Sequence, residues 1–204
     1  TGLAMDLWDG MSPPGGTPVA VGEFGAIYNY DGDSWRLQEG VPTSQSLNGV
    51  WGTSDKDLFV VGDNGTILHY DGEEWTAQES GVNEHLMAVW GSGSADVYAV
   101  GLYGTILHYD RRRWTVEPNP TQDHLLAVWG SGCEVWTVGY DGTILHKTAL
   151  SRPPTLLSPQ NAENRVAVVP FLRWENPCGG ETSLQVAKLP NFADVLVGET
   201  TTQD

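Results

Sequence analysis

One phrase recurs four times along the chain, and it constrains the fold more than any other feature. It reads GAIYNYDGDSW at 25–35, GTILHYDGEEW at 65–75, GTILHYDRRRW at 104–114 and, shortened, GTILHK at 142–147. The first glycines of successive copies are 40, 39 and 38 residues apart. A period of this length indicates one supersecondary unit copied along the chain. The sequence therefore predicts a scaffold made of repeats near 3–40, 41–80, 81–119 and 120–149.

The second copy predicts four short strands. Its segments SLNGVW, DLFVV, TILHY and WTAQ are apolar or β-prone, and the turn sequences GDNG and DGEE separate the last three. Glycine, asparagine and aspartate tolerate the positive φ that such turns need. Four antiparallel strands in about 39 residues are typical of one blade of a β-propeller. We therefore expect an all-β chain with four recognisable blades, either a whole ring or part of a larger one.

Two copies depart from this pattern. The first copy carries an insertion rich in proline and glycine in its first loop, and we predict its first strand at 3–8, with Trp8 opening the copy. The fourth copy has no tryptophan after GTILHK, so its blade is predicted to lack the fourth strand. An open strand edge invites pairing with other chains, which makes this edge a place that needs a cover.

The charge of the chain excludes some partners. Its 204 residues include 26 acids and 10 bases, for a net charge of −16, and no apolar segment is long enough for a membrane helix. Such a surface repels nucleic acid and anionic membranes. We expect no membrane insertion, and a location outside the cell or on its surface with the export signal outside this chain.

The repeat resembles known propeller families. VVGDNGTILHYDGEEW is similar to the repeat of photosystem II assembly-factor propellers and of related bacterial surface propellers. Its turn and tryptophan also resemble the Asp-box of sialidase-like propellers, although the spacing from aspartate to tryptophan is one residue shorter and Arg111 stands where glycine is expected. The positions that carry this second resemblance are Asp31, Gly32, Trp35, Asp71, Gly72, Trp75, Asp110 and Trp114.

The segment 154–197 resembles the first half of a bacterial fibronectin type III or immunoglobulin-like module. It reads SPQN, then PFLRW, then LQVAKLPNF. A complete sandwich of this kind needs roughly 90–100 residues. We therefore predict a linker at 150–154 and an incomplete module at 155–204.

Most of the recurring polar and aromatic residues are expected to be structural. The turn aspartates should bond the amides of their own turns, and most of the recurring tryptophans should pack between blades. His69, His108 and His146 occupy one position in separate blades and are expected to lie too far apart to bind a metal. Calcium is only weakly suggested, by 31–33 and 63–64, and no cofactor is predicted. Cys133 and Cys178 permit one disulfide, which the spacing leaves open. The structural residues are Asp31, Asp71, Asp110, Trp35, Trp75, Trp114, Trp51, Trp90 and Trp129.

Five residues are weak candidates for ligand binding. Trp8, Tyr103 and Trp136 break the repeat pattern, and His85 and His124 precede predicted first strands near the rim. No nucleophile motif or catalytic pair is present, so the sequence predicts no enzyme.

The predicted function is a non-catalytic binding or adhesion scaffold that recognises carbohydrate or a protein partner through loops on one propeller face. Two alternatives stay open. One is a sialidase-like or lyase-like propeller enzyme whose catalytic residues lie outside this fragment. The other is an assembly factor for a membrane complex, as the resemblance implies. The oligomeric state is also open.

Overall fold

Regular structure in the described chain consists of strands and of 3-10 turns three residues long. The computed structural model describes residues 5–131 and 134–148, together with four short strands farther along. Among the described residues, no helix is long and apolar enough to cross a bilayer. The predicted all-β class is confirmed.

The first 148 residues contain four consecutive antiparallel sheets, each in strand order, which we call blades one to four. Blade one has β1 (Leu7–Met11), β2 (Val19–Gly22), β3 (Ile27–Tyr30) and β4 (Trp35–Leu37). Blade two has β5 (Leu47–Ser54), β6 (Asp57–Gly62), β7 (Ile67–Tyr70) and β8 (Trp75–Ala77). Blade three has β9 (Leu86–Gly93), β10 (Asp96–Gly101), β11 (Ile106–Tyr109) and β12 (Trp114–Val116). Blade four has β13 (Leu125–Ser131), β14 (Glu134–Gly139) and β15 (Ile144–Thr148).

The blades pack in a row through their first strands. β5 contacts β1 on one side and β9 on the other, and β9 in turn contacts β13. A hydrophobic cluster fills each of the three spaces between neighbouring blades. Meandering four-stranded sheets stacked face to face through their inner strands are propeller blades, and the predicted fold is confirmed.

The space between blades two and three shows how the repeat builds its core. Phe59 of β6 is fully buried among Leu86, Val89 and Trp114 of blade three. Its ring stacks on His69, with centroids 4.3 Å apart, and meets Trp114 edge to face at 6.0 Å. Large aromatic residues bury up to 250 Å² each. Phe59 therefore supplies much of the stabilisation between blades two and three.

The turn between the third and fourth strands is held by its aspartate. The Oδ1 atom of Asp71 accepts hydrogen bonds from the amides of Glu73 at 2.9 Å and Glu74 at 3.0 Å. These bonds favour the charged carboxylate and lower the pKa of Asp71. Asp31 and Asp110 make the same pair of bonds in their own blades.

The first blade differs from the sequence prediction in register. Its first strand is Leu7–Met11 rather than 3–8. Met11 pairs with Val19 as Trp51 pairs with Phe59, so Met11 is the counterpart of Trp51. Trp8 was therefore the wrong marker. The insertion in the first loop hid this shift, because it separates strand one from the regularly spaced part of the repeat.

The fourth blade has three strands among the described residues, as its missing tryptophan predicts. Contacts divide the chain at Lys147 and Thr148. In the second unit, β16 (Thr155–Ser158) pairs with β17 (Arg173–Glu175), and β18 (Gln185–Ala187) pairs with β19 (Val195–Val197). The remainder of the predicted fibronectin-like module, the linker at 150–154 and both cysteines, Cys133 and Cys178, lie outside the described residues.

Candidate binding rim

A 3-10 turn joins the second strand to the third at one end of every blade. The first three turns contact the first strand of the following blade, so the four turns follow one another along one edge of the row. We call the four turns, together with the residues just before each first strand, the turn rim. The turns are Glu23–Gly25, Asp63–Gly65, Leu102–Gly104 and Tyr140–Gly142.

The middle residue of each turn adopts a left-handed backbone. The φ angles are 56° at Phe24, 53° at Asn64, 55° at Tyr103 and 53° at Asp141. Residues other than glycine rarely adopt this conformation. Here the first amide of each turn is fixed by a hydrogen bond to the residue before strand one, as from Leu102 to the carbonyl of His85 at 2.9 Å. One fixed backbone position thus presents four different side chains to solvent.

Three of the rim side chains are large and exposed: Phe24, Tyr103 and Tyr140. The last two flank His124, whose ring centroid is 4.9 Å from that of Tyr103 and 5.3 Å from that of Tyr140. We call Tyr103, His124 and Tyr140 the rim cluster. Scattered exposed apolar residues are normal, whereas a contiguous group indicates a contact surface.

His124 is oriented by the backbone of the neighbouring blade. The amide of Tyr103 donates to Nδ1 of His124 at 3.0 Å. Nδ1 is therefore an acceptor, which places the proton of the neutral ring on Nε2. This bond joins blades three and four at the rim and holds the imidazole between the two tyrosine rings.

A polar network joins blades two and three at the same edge. Nδ1 of His85 lies 2.7 Å from Oδ1 of Asp63. The side-chain amide of Asn48 donates to the same carboxylate at 2.9 Å and to the carbonyl of Leu86 at 2.9 Å. The rim is therefore fixed by side chains as well as by backbone, and its geometry is available before any partner arrives.

The rim is acidic. Asp123 accepts hydrogen bonds from the hydroxyls of Thr143 and Thr121, which lower the pKa of its carboxyl and keep it charged. The lysines and arginines of the blades lie away from the rim: on β4 and β15, in the turn between β5 and β6, and in the turn between β11 and β12. The rim acids are Asp6, Glu23, Asp63, Glu84, Asp123 and Asp141, and the lysines and arginines elsewhere in the blades are Arg36, Lys56, Arg111, Arg112, Arg113 and Lys147.

The structure brings together only some of the residues singled out from sequence. Tyr103 and His124 are in the rim cluster, whereas His85, just before the first strand of blade three, has its side chain on Asp63 of blade two. Trp136 belongs to the outer face of blade four, where its ring stacks on His146 at 3.8 Å. Trp8 is exposed on β1 and lines a groove on the first blade. Tyr140 was missed, although its place directly before the Asp-Gly of the fourth turn was a usable signal.

The repeated histidines on the third strands contact carboxylates of the second strands. Nε2 of His69 lies 2.8 Å from Asp57, and Nε2 of His108 lies 2.7 Å from Asp96. Burial raises the pKa of Asp96, but hydrogen bonds from His108 and Ser92 outweigh it and lower that pKa. Within the described residues, no group of three or more histidines, cysteines or acids is placed to hold a metal ion.

The six tryptophans predicted to pack between blades do not share one environment. Trp75 and Trp114 are buried, at 8% and 6% exposure, but Trp35 is 39% exposed and Trp129 is also exposed. Trp35 and Trp129 are therefore the exceptions to the expectation that most of the six pack between blades. They lie on blade one and blade four, the first and last of the described blades.

Comparison with known proteins finds no family model that matches this chain. No curated protein matches it either. The chain is similar to a solved structure of YCF48 bound to D1 peptide, with 15% sequence identity and a TM-score of 0.49. The alignment covers 74% of this chain and 57% of that one, so the chain spans a little over half the length of YCF48 in that structure.

Proposed function

We propose that the chain is a non-catalytic binding scaffold whose turn rim takes a basic segment of a partner protein. One observation carries the proposal. Exposed aromatic side chains and six carboxylates share one edge of the blades, while the lysines and arginines of the blades lie elsewhere. Complementary charge favours encounter with the right partner and suppresses wrong ones.

The rim cluster suits an arginine or lysine side chain. A cation over the face of a tyrosine ring gains about 0.5–2 kcal/mol, depending on how far it is desolvated. Tyr103 and Tyr140 supply two such rings. Asp141 follows Tyr140 in the sequence, and Asp123 directly precedes His124, whose ring lies between the two tyrosines. Aromatic anchors surrounded by complementary charge are typical of the residues that dominate protein interfaces.

A protein partner suits this rim better than carbohydrate, the other predicted ligand. A neutral glycan can donate its hydroxyls to the rim carboxylates but gains no charge attraction from them, and an acidic glycan is repelled. Placement outside the cell and the lack of enzymatic activity are parts of the same proposal. The enzyme and assembly-factor alternatives stay predictions.

The test uses the full chain and a peptide array that varies the number of arginines and lysines. The strongest basic peptide is then titrated by calorimetry. We expect Tyr103→Ala and Tyr140→Ala each to weaken binding by about 5–30-fold, as a hot-spot residue does. Added salt should weaken binding, because the attraction is electrostatic. Asp141→Lys should weaken it further by reversing a rim charge.

Val116→Ala is the matched control, since Val116 is also exposed but lies on β12, away from the rim. Its affinity should equal that of the unchanged chain. The proposal is overturned if basic peptides bind no better than acidic ones, if the rim variants bind as tightly as the control, or if a glycan array gives the only rim-dependent ligand.

A further inference from the structure

Histidine stands directly before the first strand in two neighbouring blades. His85 precedes β9 and His124 precedes β13, and the carbonyl of each accepts the first amide of its own blade's turn at 2.9 Å. Both residues are half-buried, and both rings reach back to the turn of the preceding blade. The two histidines are therefore equivalent in backbone position, and they differ in what each ring meets.

The two rings meet opposite chemistry. Nδ1 of His85 lies 2.7 Å from a carboxylate oxygen of Asp63, the first residue of the preceding turn. In the next blade Leu102 stands at that position and offers no carboxylate. Nδ1 of His124 instead accepts the amide hydrogen of Tyr103 at 3.0 Å. Because a protonated imidazole donates from both nitrogens, His85 keeps its contact when it gains a proton, whereas His124 loses its contact.

Several groups around the ring of His124 favour its charged form, since tyrosine faces and carboxylates attract a cation. The amide of Tyr103 opposes them, because it bonds only to an unprotonated Nδ1. The protonation of His124 is therefore a balance between one backbone hydrogen bond and these groups of the rim. They are Tyr103 on the turn of blade three, Tyr140 and Asp141 on the turn of blade four, and Asp123 directly before the histidine.

The carboxylate of Asp123 is prepared for the charged ring. Its Oδ2 atom accepts from the hydroxyls of Thr143 at 2.6 Å and Thr121 at 2.7 Å. These bonds lower the pKa of the carboxyl, and the charge of His124 acts in the same direction, so the carboxylate stays charged while a histidine titrates. Both hydroxyls bond Oδ2, which leaves Oδ1 for a further donor among the described contacts. The ring of His124 therefore has a partner in each protonation state.

The turn of blade three does not depend on the bond between Tyr103 and His124. The carbonyl of Leu102 accepts from the amide of Thr105 at 3.1 Å and from the hydroxyl of Thr105 at 2.7 Å. The amide of Leu102 donates to the carbonyl of His85. Loss of the bond from Tyr103 therefore releases one imidazole ring without opening the turn or the blade.

We propose that His124 is a proton switch for the rim cluster. The neutral ring accepts the amide of Tyr103 and holds its place between the two tyrosine rings. The protonated ring leaves that amide, turns to Asp123 and brings a positive charge beside Tyr103 and Tyr140. The consequence for binding rests on the proposed function: this charge repels a basic segment, so a basic partner is released in mildly acidic surroundings.

The switch itself is tested on the full chain without any ligand. NMR follows the ring nitrogens of both histidines and the amides of Tyr103 and Leu102 from about pH 8 to about pH 5.5. We expect the Tyr103 amide to shift in step with protonation of His124, while the Leu102 amide stays nearly constant. In His124→Asn, which keeps an acceptor near the place of Nδ1 but does not titrate, the Tyr103 amide should not respond. The proposal is overturned if the Tyr103 amide ignores the titration of His124, or if neutral His124 carries its proton on Nδ1.

Binding is measured separately, by calorimetry with an oligoarginine peptide over the same pH range, in which carboxylates stay largely charged. The affinity of the unchanged chain should fall by about tenfold on acidification, as one added positive charge beside the site would cause. His124→Asn should lose most of this dependence. His85→Asn, the matched control at the equivalent position, should keep most of it. Equal pH dependence in His124→Asn and the unchanged chain overturns the proposal. Absence of binding at every pH contradicts the proposed function alone, and the NMR titration then decides the switch.

Discussion

The indole of Trp51 lies against Gly91 of the following blade, where an added Cβ would stand 2.6 Å from its Cη2 atom. Trp90 meets Gly130 of blade four in the same way, with 2.5 Å between the corresponding atoms. Each VWG sequence therefore takes part in the contact with the blade on either side of it. Its tryptophan reaches forward to the next blade, and its glycine makes room for the tryptophan of the previous blade.

Gly91→Ala should lower the free energy of unfolding by about 1–3 kcal/mol, the usual effect of overpacking. The added methyl would meet both Trp51 and the carbonyl of Asp96. Urea denaturation measures the change. Gly93→Ala is the control, because nothing lies within 4 Å of a Cβ there. Equal losses for the two variants would contradict the role assigned to Gly91.

Arg111→Gly should stabilise the chain by about 0.5–1 kcal/mol. Arg111 has a φ of 73° where Gly32 and Gly72 have 99°. A side chain in the left-handed region costs roughly 1–2 kcal/mol, and the extra freedom of glycine in the unfolded chain offsets part of the gain. Thermal unfolding at neutral pH measures the shift. Arg112→Gly in the same turn should instead destabilise, since Arg112 does not have a positive φ among the described residues.

Asp71→Asn should lower the melting temperature at pH 7, with a difference that shrinks as the pH falls. In the folded chain, the hydrogen bonds that Asp71 accepts from two backbone amides lower its pKa. In the unfolded chain the pKa of an aspartate is about 3.9. Its charged form therefore contributes stability above the unfolded pKa, and this is lost as the pH falls through the folded pKa. Asparagine keeps an acceptor oxygen but has no charge to titrate.

Glu73→Gln removes a charge from the same turn and leaves both backbone hydrogen bonds to Asp71 in place. Scanning calorimetry from pH 7 to about pH 3 should show no comparable pH-dependent difference for it. A constant gap between Asp71→Asn and the unchanged chain over that range would refute the explanation.

Phe59→Ala should cost about 3–5 kcal/mol, because Phe59 is fully buried between blades two and three. Trp136→Ala changes the same strand position in blade four, where the ring is half-buried on an outer face. Its cost should be clearly smaller, despite the larger side chain removed. Chemical denaturation compares the two variants, and equal costs would contradict the assigned difference in burial.

The repeat period was enough to predict the blades, because each blade lies within one period and packs against the next copy of itself. The period did not predict how far the equivalent side chains of each copy are buried. Trp35 and Trp75 stand in the same sequence pattern, but among the described blades only Trp75 is covered by a preceding one. A local pattern encodes which face a side chain takes, whereas its burial depends on what that face meets.

The candidate site was partly visible in the sequence. Tyr103 stood out as a departure from the repeat and His124 as a residue before a predicted first strand. However, 21 residues separate them, and only the stacking of blades brings them together. The left-handed turn positions were harder to find, since Phe24, Asn64, Tyr103 and Asp141 share no chemistry. What they share is a backbone geometry, which the surrounding hydrogen bonds impose.

Because the four turns share one backbone geometry, the side chain at the centre of each turn can be exchanged. Because the carbonyl before each first strand anchors the turn, the residue at its centre can change in size, charge or polarity without moving the strands on either side. β-branched residues are the exception, since they fit a positive φ poorly. A library that varies Phe24, Asn64, Tyr103 and Asp141 would therefore change what the chain recognises while leaving how it folds untouched.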